Sequence, residues 1–218
     1  GHKDVVQLFL DHSNKIELNA QDNYGHTALM YACTDGHKDV VKLLLNHSDK
    51  PIELNAKDNV GMTAFMIACS SGHKDVVHLL LDNCERIELN ARTNHGRTAL
   101  MLACRSQKRR HKEIVKLLIE ISIKYGIDLN AIDNDGVTAL HLACQDPDTQ
   151  ETAKIMIKLS TKYGIDLSVR DNNGKTPLHY ACWNCNDPPS YVIKLISNGF
   201  HWSNIDIKKL ILRKFGVV

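Results

Sequence analysis

No stretch of this chain approaches the ~20 consecutive apolar residues a helix needs to cross a bilayer, and no signal-peptide pattern opens it. An excess of one charge is missing too, since 27 lysines and arginines stand against 25 aspartates and glutamates. That balance excludes a chain that binds nucleic acid through its overall charge, so any basic function is local. Catalytic signatures also fail. Cys182-x-x-Cys185 has no second pair to complete a zinc site. Gly174-Lys175-Thr176 has Val169 where a phosphate-binding loop requires glycine. With no nucleophile triad, metal cluster or cofactor loop, the expectation is a protein that is not an enzyme and carries no metal or cofactor.

What the chain does have is one phrase said five times. Asp22 to Cys33, Asp58 to Cys69, Thr93 to Cys104, Asp133 to Cys144 and Asp171 to Cys182 share the frame Asn-x-Gly-x-Thr-[Ala/Pro]-[Leu/Phe]-x-x-Ala-Cys. Such self-similarity marks a stacked array rather than a single globular core. The glycines at 25, 61, 96, 136 and 174 follow one another at 36, 35, 40 and 38 residues. Asn-x-Gly is turn chemistry, with glycine free to take a positive φ. The threonine two residues later is placed to cap a helix with its hydroxyl. Pro177 sits at the first helical position that proline favours. In the last two copies His141 and His179 fall three residues after the threonine, where a ring nitrogen adds a reciprocal hydrogen bond.

Thr138-Ala-Leu-His-Leu-Ala and Thr176-Pro-Leu-His-Tyr-Ala resemble the ankyrin repeat, whose mark is a turn followed by two short antiparallel helices. A second apolar run with helical period follows, clearest in Gly36-His37-Lys38-Asp39-Val40-Val41 and Gly72-His73-Lys74-Asp75-Val76-Val77. The resemblance covers nearly the whole chain. It implies an all-α solenoid of helix-turn-helix units with projecting turns. The expected organisation is one domain: a half-repeat at 1–21, repeats at 22–57, 58–92, 93–132, 133–170 and 171–203, and a capping helix at 204–218. The chain opens inside a second helix, so it reads as a piece of something longer, and a recognition domain from a kinase, ligase adaptor or channel is the alternative reading. The repeats exceed the family's ~33 residues, and the extra length is assigned to loops and to longer second helices that stop at Gly126 and Gly164.

Five of seven cysteines, Cys33, Cys69, Cys104, Cys144 and Cys182, recur at one repeat position after alanine. Position explains them as small packed residues, and free buried thiols suit a reducing compartment, cytosol or nucleus. The chain's one charge cluster is Arg105-Ser106-Gln107-Lys108-Arg109-Arg110-His111-Lys112, read as the link between the helices of the third repeat. From 93 to 132 eight basic residues face three acidic ones, and from 133 to 170 four face six. The cluster admits a solvated loop, an acidic-partner or phosphate contact, and a nuclear-localisation role.

The function that the resemblance implies is protein binding on the concave side of the array, by turn-flanking residues and those just after Ala-Cys. These are Tyr24, His26, Asp35, Met62, His95, Arg97, Arg105, Asp135, Gln145, Asp146, Lys175 and Trp183. The expected partner is a protein or peptide, acidic where it meets the arginines, and the expected state is a monomer with no small-molecule substrate, no nucleic acid and no membrane. The resemblance also makes Asn55, Asn90 and Asn130, which stand at the family's Val-Asn-Ala position, candidates for hydroxylation, the alternative being hydrogen-bonded turn residues.

Overall fold

The computed structural model describes residues 1–47, 51–105 and 111–183. The expected final second helix, the cap at 204–218 and residues 106–110 of the basic link lie outside the described residues.

Ten α-helices are described, and no strand is present among the described residues. Five follow the frames: α2 (Ala28–Asp35), α4 (Ala64–Ser71), α6 (Ala99–Arg105), α8 (Ala139–Gln145) and α10 (Pro177–Trp183). The other five are α1 (Lys3–Leu10), α3 (Lys38–Asn46), α5 (Lys74–Leu81), α7 (His111–Tyr125) and α9 (Gln150–Tyr163). Frame helices pack on one another in chain order to make one layer. The second helices make the other layer, and each of α2, α4, α6 and α8 also packs against the helix that follows it. The core lies between the layers. Leu29, Phe65, Leu100 and Leu140 from the frames and Val41, Val77 and Val115 from the second helices are all buried in it. Each such side chain contributes about 1.5–3 kcal/mol on burial, and no single helix pair buries its apolar face alone, so neighbouring units stabilise one another.

Local chemistry starts each frame helix. The threonine hydroxyls of Thr27, Thr63, Thr98 and Thr138 accept from the N–H groups of Met30, Met66, Met101 and His141 at 3.3–3.4 Å, satisfying donors that a helix start leaves unpaired. The expected long second helices are present. α7 and α9 run 15 and 14 residues, against 9 and 8 for α3 and α5. Both stop where the chain turns left-handed at a glycine, and the N–H groups of Ile127 and Ile165 reach back to the carbonyls of Ser122 and Ser160 at 3.1 Å.

One part of the sequence reading needs correction. The segment 105–112 is not all link, because Arg105 closes α6 while His111 and Lys112 already belong to α7. His111 is the counterpart of His73. Each donates from Nε2 to a carbonyl of the preceding repeat, His73 to Thr34 at 3.0 Å and His111 to Ser70 at 2.8 Å. The rings lie over Gly36 and Gly72, where any Cβ would meet them closer than 3.0 Å.

Candidate functional site: the face of turns and frame helices

Four of the five turns are tied by a carboxylate, and in the third the Thr93 hydroxyl takes its place, accepting from the Arg97 N–H at 3.1 Å. Asp133 Oδ1 accepts from the N–H groups of Asp135 at 3.0 Å and Val137 at 2.9 Å, and Asp22, Asp58 and Asp171 repeat the pattern. The second carboxylate oxygen goes to a neighbour. Asp22 accepts from the Tyr31 hydroxyl at 2.6 Å and Asp171 from the Tyr180 hydroxyl at 2.8 Å. Asp58 instead faces His26 of the preceding repeat at 3.4 Å, and Asp133 faces Arg97 at 3.3 Å. The Tyr31 hydroxyl bond and the His26 N–H hold Asp22 below the usual carboxylate range. For Asp171 burial pushes upward, but bonds from Lys175, Tyr180 and Asn173 outweigh it and the carboxyl stays low.

Two rows of asparagines bind unit to unit. At the turns, the N–H groups of Asn59, Asn94, Asn134 and Asn172 donate to the carbonyls of Tyr24, Val60, His95 and Asp135 at 2.9–3.0 Å. Their side-chain amides donate in parallel to Asn23, Asn59, Asn94 and Asn134 at 2.9–3.0 Å. In the second row Asn55, Asn90 and Asn130 each accept from one backbone N–H of the next repeat and donate to one of its carbonyls, at 2.7–2.9 Å. The turns therefore hold a fixed spacing, and the side chains they project form one ordered surface.

The predicted contact residues differ in exposure. Tyr24, Asp35, His95, Arg105, Asp135, Gln145 and Lys175 are exposed. His26, Met62, Arg97 and Asp146 are half-buried, His26 and Arg97 through their carboxylate partners, Met62 against the core and Asp146 where its carboxylate accepts from the Asp148 N–H at 2.9 Å. The Trp183 side chain lies outside the described ones. One position went unread in the sequence: Tyr31, Ile67, Leu102, Leu142 and Tyr180, midway between the frame's Leu/Phe and Cys. Tyr31 is 50% exposed, whereas Ile67 and Leu142 are only 7% and 6% exposed. The signal available is its run of large residues in all five frames.

Among the described residues no group of three or more histidine, cysteine or acidic side chains gathers to hold a metal, and no helix is long and apolar enough to cross a membrane. Burial pushes the Cys33 thiol up to about 12 and drives Cys69 and Cys104 in the same direction. Cys84 is half-buried and lines a surface cleft beside Tyr125. Because the thiolate is the reactive form, a maleimide applied to the native protein should label Cys84 before Cys33, Cys69, Cys104, Cys144 or Cys182. Peptide mapping with and without urea reads this, and equal native labelling of Cys69 and Cys84 would contradict the buried column.

A comparison with curated proteins found no match. The model of the ankyrin repeats family, described as "Ankyrin repeats (3 copies)", matches residues 1–58, 49–133 and 121–208. With the turns, caps and paired helix layers of that architecture in place over most of its length, the chain belongs to the ankyrin repeats, a family of protein–protein interaction modules.

Proposed function

We propose that this protein is a non-enzymatic binding module whose concave face, made of turn tips and the exposed sides of α2, α4, α6 and α8, receives an extended segment of a partner protein. The observation that carries this is the contrast between a rigid frame and varied projections. Backbone and asparagine bonds repeat from turn to turn, while Tyr24, Val60, His95, Asp135 and Asn173 differ in size and charge at one equivalent position. Such a surface is preorganised, so binding loses little conformational entropy on the protein's side.

Arg105 is exposed and makes no ion pair among the described residues, which suits a partner carboxylate. Arg97 adds positive potential from a position fixed by Asp133. The partner is accordingly a protein or peptide with acidic character, met by a monomer in the cytosol or nucleus. Charge of this kind acts mainly on the association rate, while apolar contacts set residence.

The test begins with a partner recovered from cell extract on immobilised protein and identified. Titration calorimetry then compares Arg105→Glu and Lys175→Glu with Lys116→Glu on the opposite layer. The two concave variants are expected to weaken binding by about 1–2 kcal/mol together, leaving the Lys116 variant unchanged. The reverse ranking would move the interface to the second helices.

A further inference from the structure

Three of the eight large apolar side chains exposed among the described residues, Tyr24, Tyr31 and Val60, stand on two adjacent repeats. They form one patch. The Tyr24 carbonyl accepts from Asn59, the residue next to Val60, at 3.0 Å. His26 joins Tyr24 to Tyr31, with ring centroids 6.2 Å from the first and 5.3 Å from the second, the latter edge-on at 87°. Two of the three rings are held in place, since Tyr31 donates to Asp22 at 2.6 Å and His26 faces Asp58 at 3.4 Å. At the corresponding turn tips farther along stand His95, Asp135 and Asn173, and the counterparts of Tyr31 in α4 and α8 are buried. Among the described residues, an aromatic patch exposed in this way stands only on the first two full repeats, since Leu102 and Tyr180, the remaining counterparts of Tyr31, are half-buried.

Charge along the row after Ala-Cys also has an order. Asp35 is exposed in the first full repeat, Ser70 and Ser71 follow, Arg105 is exposed in the third, and Gln145 and Asp146 come in the fourth. A carboxylate on a bound segment is attracted at one place in this row and repelled on both sides of it, which sets register as much as affinity.

We propose that the partner segment carries an aromatic or branched apolar side chain that docks on Tyr24, Tyr31 and Val60, and an acidic side chain that meets Arg105 two repeats away. This rests on the reading of the face as partner-binding. Packed helices lie about 8–10 Å apart, so α2 to α6 is roughly 16–20 Å, and an extended chain at ~3.3–3.6 Å per residue covers that in about five or six residues. The occupant is thus a short linear segment with an apolar anchor and a carboxylate at that separation. It is not a uniformly acidic tail.

The probe is a displayed library of random 12-residue peptides panned against the full chain, with the enriched peptides then synthesised. Enriched sequences should pair an apolar anchor with Asp or Glu about five or six residues away. Their affinity should fall about tenfold or more in Tyr24→Ser and in Tyr31→Ala. Arg105→Glu should weaken them likewise, and exchanging the peptide's acid for lysine should restore binding to that variant. Melting curves check that each variant is folded, and Tyr24→Ser, at an exposed turn tip, keeps the test alive if Tyr31→Ala unfolds. Peptides that lose affinity with Ser70→Arg, which obstructs the middle of the face, yet ignore the tyrosines and Arg105 would overturn this proposal while leaving the face as the binding site. Peptides indifferent to all of these substitutions would sink both readings, and a library from which nothing is enriched counts against the two-point segment.

Discussion

Gly136→Val should destabilise the protein by about 3 kcal/mol or more, far beyond what removing any one buried thiol does. Gly136 has φ +77, and a Cβ there would lie 2.7 Å from Asn172 Oδ1, 2.9 Å from Asn172 N and 3.1 Å from the Asp171 carbonyl carbon. Two costs add. A β-branched residue resists the left-handed region by itself, and here the obstructing atoms include backbone, which a rotamer change cannot move aside. Relief requires separating the turns and so breaking the 2.9 Å bond from the Asn172 N–H to the Asp135 carbonyl and the 3.0 Å bond from its amide to Asn134. Cys104→Ala removes one sulfur from a fully buried site where Sγ lies 3.6 Å from Met156 Sδ, and should cost about 1 kcal/mol. Paired urea melts rank the two, and an equal or inverted order would mean that inter-turn bonding carries little of the array's cohesion. Because units stabilise their neighbours, the Gly136 variant should also broaden the transition, as the repeats on either side of the broken contact begin to melt separately.

The glycine was legible because its cause is local. Asn-x-Gly-x-Thr repeated in register announces a turn and a cap from backbone chemistry alone, and Gly126 and Gly164 announce helix stops in the same way. His111 was not legible. Its counterparts His37 and His73 follow a glycine, and in the third repeat Arg110 stands there instead, so the helix start looked like the end of a basic loop. Only stacking shows its place, through the Nε2 bond to Ser70.

The site divides along the same line. Of the residues beside the turn glycines, Tyr24, His95, Asp135 and Lys175 are exposed, as the turn geometry dictates, whereas Met62 is half-buried against the core. That His26 and Arg97 reach carboxylates of the next repeat depends on contacts between residues 32 and 36 positions apart, and no local pattern encodes them. Tyr31 was missed for the opposite reason. A frame helix of eight residues has few polar positions from which to read a face, so an apolar residue in its middle reads as core whether it is exposed, as Tyr31 is, or covered, as Ile67 is.

His141→Ala is the second large effect, expected to cost about 2–4 kcal/mol. The ring is fully buried and joins two repeats. Nε2 faces the Lys175 carbonyl at 3.1 Å, and since a carbonyl only accepts, this nitrogen carries the proton. Nδ1 is then the acceptor for the Thr138 N–H at 3.1 Å and for its hydroxyl at 2.8 Å, while the Tyr180 ring packs against the imidazole with centroids 5.1 Å apart at 77°. Truncation leaves a cavity, an uncapped N–H and a carbonyl without its donor. The same burial makes the charged form unfavourable and moves the His141 pKa below its ordinary 6.5, with His179 displaced in the same direction. An unfolded chain therefore binds protons more readily than the folded one as pH falls through about 6.5, and stability declines from there toward the lowered folded value. The wild-type melting temperature should drop between pH 7.5 and 5.5, and His141→Ala should show a shallower drop because one of the two histidines held low by burial is gone. Melts of both proteins at the two pH values decide the matter: parallel slopes would show that His141 does not titrate with unfolding, and a loss below about 1 kcal/mol at pH 7.5 would show that its bridge to Lys175 contributes little to holding the fourth and fifth repeats together.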